Sequence, residues 1–344
     1  MMRRLVWLGV AGMLVAGMAT GARGEFVGGV PEHRRRSEWR AEAGGLLDLS
    51  GTVKETFRAY YAATGRHGDQ ATAETYDLDD FGVDAPYPAY GVHFDNQWRW
   101  LAFRMDFTFL SLSTEATASR DYYIGLFDDI RYRGRGYDHL MIPKGTELTT
   151  DFTGGYLDLV LSLTPFTVGA EGVFELTPII DLGIAGVAGQ FDLDAGNARG
   201  TTRYQDPPVE FVVGGKPSGL VGIAAPLVGG GLELCVGRPE GVRWTTRGTV
   251  DVFAYDGSSK PFSDAREKDL DISFLLAGAE TGLEIPLSGS TDLTLGVRYQ
   301  MMHLDGDIKS HERETARIIA AHERFDKEVD FDVSMLLFFI GVRF

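Results

Sequence analysis

Long segments of alternating side chains are the feature that most constrains this chain. In the clearest of them, Leu101, Phe103, Met105, Phe107 and Phe109 alternate with Ala102, Arg104, Asp106 and Thr108. Successive side chains of a β-strand point to opposite faces, so this period of two predicts strands with one apolar face. Beyond the first 24 residues no apolar run of 18 residues recurs, and the mean hydropathy is -0.08, which excludes a polytopic helical membrane protein.

Neighbouring segments combine into hairpins whose apolar faces agree. A two-residue turn at 96–97 would pair Asp95 with Trp98 and leave the apolar residues of both strands on one side. In the second half, a five-residue connection of sequence GRPEG (237–241) would pair Val236 with Val242 in the same way. If the alternation had arisen by chance, the apolar faces of two consecutive segments would not be expected to lie on the same side of a hairpin.

The pattern predicts about ten strands with short connections on one side and long polar ones on the other. The expected strands are 44–58, 88–96, 98–113, 148–163, 178–193, 218–236, 242–256, 268–285, 291–306 and 327–344. The expected loops are 59–87, 114–147, 194–217, 257–267 and 307–326, with a short helix at 311–325. Dyad strands of about ten residues with asymmetric connections are typical of an antiparallel up-and-down transmembrane β-barrel.

The strand count leaves eight or twelve open, because 164–177 and the first strand are weakly patterned. An even count places both termini, and the short turns, on the periplasmic side, and the long loops on the extracellular side. A soluble two-sheet sandwich is the alternative fold. It would need about seven to nine shorter strands with turns every 8–12 residues or so, which the long hairpins disfavour.

The N-terminal 24 residues have the three parts of a secretory signal. Arg3 and Arg4 precede an apolar stretch at 5–19, and small residues at Ala22 and Gly24 precede a cut before Glu25. We therefore expect 1–24 to be a signal peptide and 25–344 to be a single barrel domain. The net charge of -16 argues against nucleic acid as a partner. A single cysteine, Cys235, excludes intrachain disulfides and cysteine-rich zinc modules.

The C-terminal sequence MLLFFIGVRF carries a family resemblance. Leu336, Phe338, Ile340, Val342 and Phe344 share one face of the last strand. This ending resembles the assembly signal of Gram-negative outer-membrane barrels, and the segments DLDDFGVD (77–84) and IPKGTEL (142–148) resemble the small porin-like members. The resemblance implies outer-membrane localisation, Phe344 as an assembly signal for the barrel-assembly machinery, and contact with outer-membrane lipids and lipopolysaccharide. It implies no activity.

One departure in that strand leaves two alternatives open. Phe331, Val333, Met335, Leu337 and Phe339, on the opposite face, are apolar as well. Either a bulge changes the facing of the strand, or that side of the barrel interior is apolar.

Charged residues opposite the apolar stripe are the candidate lumen residues. They are His93, Asp95, Arg104, Asp106, Glu233, Arg243, Arg247, Asp251, Asp271 and Arg298. A ten-stranded lumen is narrow, and wide aqueous channels need about 16 strands. We therefore expect these charges to pair across the interior of a structural or narrow-pore barrel.

Catalytic signals are weak, and the sequence predicts no enzyme, cofactor or metal. Asp128-Asp129 and Asp138-His139 have the composition of the groups that activate water in outer-membrane omptin proteases, but both pairs fall in one expected irregular loop. The aromatic and arginine-rich loop 114–147 favours, as an alternative function, a surface enzyme or a lipid- or carbohydrate-binding barrel. Oligomeric state is not determined by any of these patterns.

Overall fold

The fold comes from a computed structural model of the chain. It describes residues 35–344 except 62–65, 85, 99, 133–134, 171–172, 202–209, 213–217, 239, 260–266, 289 and 312–325. The expected signal peptide at 1–24 and the expected helix at 311–325, apart from its first residue, lie outside the described residues.

The described residues are almost entirely β-strands. Their bounds are β1 Arg35–Tyr61, β2 Arg66–Asp77, β3 Tyr87–Trp98, β4 Leu101–Thr117, β5 Tyr122–Tyr132, β6 Arg135–Ile142, β7 Glu147–Leu163, β8 Val168–Ala170, β9 Phe174–Ala195, β10 Arg199–Thr201, β11 Glu210–Val212, β12 Ser218–Val236, β13 Arg243–Ser259, β14 Glu267–Ser288, β15 Thr291–His311 and β16 Asp326–Arg343. A 3-10 turn at Leu78–Phe81 follows β2. Among the described residues no helix is long and apolar enough to cross a membrane.

Ten of these strands form a closed ring. The order is β12-β13-β14-β15-β16-β1-β3-β4-β7-β9, and β9 pairs back with β12. Every neighbouring pair is antiparallel. The paired residues can be traced around the ring from Glu42 on β1 in both directions. The trace through β3 reaches β12 at Ile223, and the trace through β16 reaches the same strand at Cys235. This stagger of twelve residues is the shear by which tilted strands close into a barrel.

The outer surface of the ring is apolar on every strand. Exposed large apolar residues on successive strands include Trp39, Val92, Phe107, Leu161, Leu182, Leu232, Val250, Leu283, Tyr299 and Phe338. Trp98, Trp100, Trp244 and Phe344 are also exposed, near the short turns. Apolar outward faces with aromatic residues at the rim are typical of a wall in contact with lipid. The predicted faces of β3, β4 and β16 are confirmed.

The ten predicted strands match the ring, but the two predicted turns were misplaced. Trp98 pairs with Leu101, so strands β3 and β4 are connected between these two residues rather than by a turn at 96–97. Val236 pairs with Trp244 rather than with Val242. Both errors shift the pairing of the two strands by an even number of residues. Because side chains alternate between the two faces of a strand, such a shift leaves each side chain on its predicted face. Hydrophobic alternation therefore specified the faces and left the position of the turn undetermined.

The expected long loops contain β-structure instead of irregular chain. β2 pairs with β1 beyond the barrel wall, and β5, β6, β10 and β11 form a separate four-stranded sheet. This outer sheet has a core of its own that includes Tyr76, Tyr122, Leu140, Ile142 and Leu148. The apolar residues of 114–147 are therefore partly structural.

Candidate functional site

The interior of the ring near the short turns is a layer of paired charges. Arg40 donates from Nε to Glu38 Oε1 at 2.5 Å and from Nη1 to Glu280 Oε1 at 2.5 Å. Arg343 donates from Nε to Glu38 Oε2 at 2.8 Å and also to Glu284. These side chains come from β1, β14 and β16, so the pairs join three strands from within and span β15, which lies between β14 and β16.

Arg243 on β13 adds a fourth strand to this layer. Its guanidinium donates to Glu284, which Arg343 also contacts. A small cavity of about 40 Å³ beside Arg243 is lined by Arg36, Glu38, Asp95, Gln97, Glu233, Cys235, Arg243 and Arg343. The interior at this end is therefore polar, and the cavity is large enough to hold water.

A second charged layer crosses the centre of the barrel. His93 Nδ1 is hydrogen-bonded to Asp106 Oδ1 at 2.5 Å, and Arg298 also donates to that carboxylate. The other terminal nitrogen of Arg298 donates to Glu42 Oε2 at 2.6 Å. Arg104 Nε lies 3.4 Å from Asp106 Oδ2. All five side chains are buried, and a charge removed from water needs such partners to be tolerated.

Arg104 and Arg247 extend the central layer toward β9 and β3. Arg104 Nη2 lies 3.9 Å from Asp181 Oδ2, and Asp181 also accepts a hydrogen bond from Ser162. Arg247 Nη1 lies 3.7 Å from Asp95 Oδ2, and Arg247 Nη2 donates to Ser162 Oγ at 3.4 Å. The charged network thus includes side chains from β14, β1 and β13, and it crosses the lumen.

The structure places nine of the ten candidate residues on the inner face. Those nine are His93, Asp95, Arg104, Asp106, Glu233, Arg243, Arg247, Asp251 and Arg298. Asp271 was wrongly assigned to the lumen. It is exposed on the outer face, whereas the apolar Phe274 and Leu276 on the other face of the same strand are buried. On β14 the inner residues are even-numbered, as Glu284 shows, and Asp271 lies above the lipid-facing region, where an outward carboxylate meets water.

The sequence analysis did not identify eight further carboxylates and arginines of the interior, which lie on β1, β7, β9, β14 and β16. Glu38, Arg40, Glu42, Asp158, Asp181, Glu280, Glu284 and Arg343 all take part in the charged interior or lie beside it. Most of them lie between outward apolar residues, as Arg40 does between Trp39 and Ala41. The period of two could have found Asp158, Asp181, Glu280, Glu284 and Arg343 within the predicted strands, whereas Glu38, Arg40 and Glu42 required an earlier start of the first strand.

The half of the lumen farther from the short turns is apolar. One cluster contains Leu46, Ala89, Val333, Met335 and Leu337. A second contains Tyr156, Ala185, Leu227, Phe274 and Leu276, with Phe253, Met302 and Leu304 packed against it. β16 pairs with both neighbours without a bulge of its own on this stretch. Of the two alternatives for the last strand, an apolar side of the lumen is therefore the one observed.

Among the side chains that the structure describes, two groups have donor atoms close enough to share a metal ion. Glu42, His93 and Asp106 form a buried group, but the guanidinium of Arg298 donates to both of its carboxylates. His303, Asp330 and Asp332 form the other group on the outer wall, with His303 Nδ1 hydrogen-bonded to Asp332 Oδ1 at 2.9 Å. In the first group the arginine supplies the positive charge that a metal would supply.

The segment 114–147 is a strand pair rather than an irregular loop. β5 and β6 pair in register from Tyr122 with Ile142 to Gly125 with His139, and again beyond a bulge. The backbones of Asp128 and Asp129 lie in β5, and those of Asp138 and His139 lie in β6. Their side chains lie outside the described part of the structure. The two pairs thus fall on neighbouring strands.

No family model and no curated protein matches the chain. Among solved structures, it is similar to the outer membrane protease OmpT from Escherichia coli, with 11% identity, a TM-score of 0.38, and 95% of this chain and 99% of that chain covered. It is also similar to a Pseudomonas aeruginosa FadL homologue, with 7% identity, a TM-score of 0.25 and 90% of each chain covered. A third is the beta domain of the Bordetella autotransporter BrkA, with 12% identity, a TM-score of 0.21, and 88% and 98% covered.

The ring and its outer surface give the fold and the localisation. Strands can span lipid only as a closed barrel, and closed barrels with an apolar outer belt are structures of bacterial outer membranes. The chain is an outer-membrane β-barrel of ten strands. The predicted fold class and localisation are confirmed.

Proposed function

We propose that this protein is a structural or narrow-pore barrel whose lumen is closed by its own side chains. The observation that carries the proposal is the pair of contacts that Arg298 on β15 makes, with Asp106 on β4 and with Glu42 on β1. β15 and β4 are four strands apart around a ring of ten, so this guanidinium crosses the interior rather than lining it. A side chain that bridges the walls leaves no continuous wide path.

The two halves of the lumen oppose permeation in different ways. In the charged half, a solute would have to displace buried ion pairs whose separated charges are costly in a low dielectric. In the apolar half, the clusters around Leu337 and Leu276 leave water and ions without polar partners. A hydrophilic solute would meet both barriers in series, so we expect slow ion leakage and no free passage of sugars.

Conductance in planar bilayers tests the proposal directly. We expect the purified wild-type barrel to give small or no steady current, and proteoliposomes that contain it to retain sugars. Replacement of both Arg104 and Arg298 by serine should raise the current or destabilise the barrel, since it removes the bridging groups. A large and steady wild-type conductance with free sugar uptake would reject a closed lumen and favour a porin.

The alternative function uses the outer sheet. A surface enzyme, or a lipid- or carbohydrate-binding barrel, would use 114–147, where β5 and β6 hold Asp128 and His139 on adjacent strands. The same purified protein, assayed for peptide cleavage with Asp128→Asn as the comparison, separates this alternative from the closed barrel.

A further inference from the structure

The outward face of β15 changes from apolar to charged toward the end of the barrel away from the short turns. Tyr299 is exposed within the apolar belt. Four residues farther along β15, about 13 Å at the usual rise of a strand, His303 leaves the strand on the same face. Asp332 on β16 pairs directly with His303, and Asp330 lies two residues from Asp332 on that face. These three side chains form a group on the outer wall beyond the apolar belt.

The donor atoms of this group converge on one point. His303 Nδ1 lies 2.9 Å from Asp332 Oδ1 and 3.7 Å from Asp330 Oδ1. The three donor atoms all lie within 4.8 Å of one another. The side chains of His303, Asp332 and Asp330 are 35%, 52% and 63% exposed, so the group is open to solvent. A cation therefore reaches these atoms from outside the barrel without any opening of the lumen.

The spacing of these atoms suits a small tetrahedral ion. Bonds of about 2.0–2.2 Å from Zn²⁺ to nitrogen and to carboxylate oxygen place two ligands of a tetrahedron about 3.3–3.6 Å apart. The two separations from the imidazole nitrogen fall on either side of this range, so small side-chain rotations are sufficient. β15 and β16 pair in continuous register from Asp292 with Arg343 to Lys309 with Asp326. This pairing holds the backbones of the three ligands at a fixed spacing.

The acids of this face have few cations to offset them. Asp330 stands directly opposite Asp305 of β15, and like charges directly opposite one another destabilise a sheet. Lysines of the same face contact other acids, Lys54 with Glu328 at 2.8 Å and Lys309 with Asp307 at 2.6 Å. Within the part of the chain that the structure describes, no arginine or lysine lies within ion-pair distance of the three clustered side chains. The buried group, by contrast, contains a guanidinium.

We propose that His303, Asp330 and Asp332 bind one Zn²⁺ ion on the outer wall, with a fourth position open to water. One imidazole and two carboxylates form a set of three protein ligands, and imidazole is a donor that suits Zn²⁺, whereas Ca²⁺ takes oxygen ligands. The ion takes the place of the proton between His303 Nδ1 and Asp332 Oδ1 and offsets the repulsion around Asp330. It also joins β15 to β16 from the outside of the barrel.

Calorimetric titration with ZnCl₂ tests the site. The untagged mature chain is refolded in detergent, freed of metal with EDTA that is then removed, and titrated alone or with excess CaCl₂. We expect a saturable zinc site from which excess CaCl₂ does not displace the zinc. Loss of even an outer hydrogen-bond partner of a metal ligand costs about 10–100-fold in affinity. His303→Ala removes a ligand itself and should therefore weaken zinc binding about 100-fold or more.

Matched variants separate this site from other acids and histidines. Asp332→Asn removes a ligand charge with little change of shape and should weaken zinc binding as His303→Ala does. Asp307→Asn removes a carboxylate from the same face of β15, and His311→Ala removes another histidine of that strand. Both of these control variants should leave the zinc affinity unchanged. None of the three ligand side chains is buried, so their variants should refold, and urea unfolding without zinc verifies this.

A spectroscopic measurement gives a second readout on the folded wild type. Co²⁺ in place of zinc reports its own coordination through visible absorption. We expect a tetrahedral spectrum in the wild type that is lost when ZnCl₂ is added and that does not form in His303→Ala.

Two results would overturn the inference. One is the absence of a saturable zinc site, or an equal zinc affinity in the wild type, His303→Ala and Asp332→Asn. The other is displacement of zinc by equimolar CaCl₂, which would indicate attraction to an acidic surface without an imidazole ligand. The site lies outside the barrel and is measured by metal binding rather than by current, so it and the proposed closed lumen can each fail without the other.

Discussion

Arg298 on β15 and Asp106 on β4 are hydrogen-bonded across the interior of the barrel, although 192 positions separate them in the sequence. The same carboxylate is bonded to His93 on β3, and the same guanidinium is bonded to Glu42 on β1. Four strands are therefore joined from the inside at one level. This cross-link is the geometry that a narrow barrel allows and a wide channel does not.

Removal of Arg298 should be strongly destabilising. Arg298→Ser leaves Asp106 and Glu42 buried with fewer partners, and loss of one member of a buried ion pair costs about 3–5 kcal/mol. Equilibrium unfolding in urea measures the change. Lys54→Ser is the matched control, since Lys54 and Glu328 form an exposed pair at 2.8 Å, worth about 1 kcal/mol or less. Similar losses in both variants would contradict the bridging role of Arg298.

Arginine scanning of β4 should report depth in the membrane. Phe103 and Phe107 are exposed on the outer face, and arginine near the middle of the lipid should cost about 2–4 kcal/mol at each position. Ser111→Arg, on the same face beyond the apolar residues, should cost about 0–1 kcal/mol. Refolding into lipid vesicles measures these values. Equal tolerance at the three positions would show that β4 does not face lipid as assigned.

The sequence alone suggests Thr108→Arg as a mild control, and the structure excludes it. Thr108 is 0% exposed, between the charged and apolar halves of the lumen. An arginine there must displace packed side chains, so we expect Thr108→Arg to refold poorly rather than well.

Truncation of the apolar lumen should be costly on one face of β16 only. Leu337 is fully buried against Leu46 and its neighbours, so Leu337→Ala should lose about 2–5 kcal/mol through the cavity that it leaves. Phe338→Ala, one residue along and 63% exposed toward lipid, should lose less, because lipid fills the space. Urea unfolding compares the two. A larger loss at Phe338 would reverse the assigned faces of the last strand.

The outer sheet should weaken at alkaline pH. Burial raises the pKa of Tyr122 above its ordinary value of 10.0, and its hydroxyl donates to Asp80 Oδ1 at 2.8 Å. Because the pKa is raised in the folded state, its contribution to stability is complete below pH 10 and is lost as the pH rises above it. Limited proteolysis of the outer sheet against pH measures this loss. Tyr122→Phe should flatten the profile above pH 10; an unchanged profile would assign the loss elsewhere.

Alternation of side chains carried much of the fold prediction, and its errors have a common cause. The turns after Trp98 and Val236 were displaced, yet Phe107 and Leu232 kept their faces, because a displacement that preserves parity leaves the pattern unchanged. The assignment of Asp271 to the lumen was wrong because β14 continues beyond the lipid, where the outward residues are polar and the inward ones are apolar. Side chains therefore alternate between the two faces along the whole strand. Within the lipid the apolar face points outward, whereas beyond the lipid the polar face does.

The candidate site was predictable as a set of residue types on one face, and not as a set of contacts. The sequence placed Arg104, Asp106 and Arg298 on inner faces, since each alternates with apolar residues. The sequence held no information on which acid each arginine meets, because the partners lie up to five strands apart and depend on the stagger of the closed ring.

The sequence by itself determined the class of fold and the lipid-facing surface, since a period of two along the strands is a local property of the chain. Only the tertiary structure decided that the ring closes with ten strands, that the lumen is charged in one half and apolar in the other, and that Arg298 bridges it. Ring closure fixes the shear, and the shear decides which inward side chains stand at the same height.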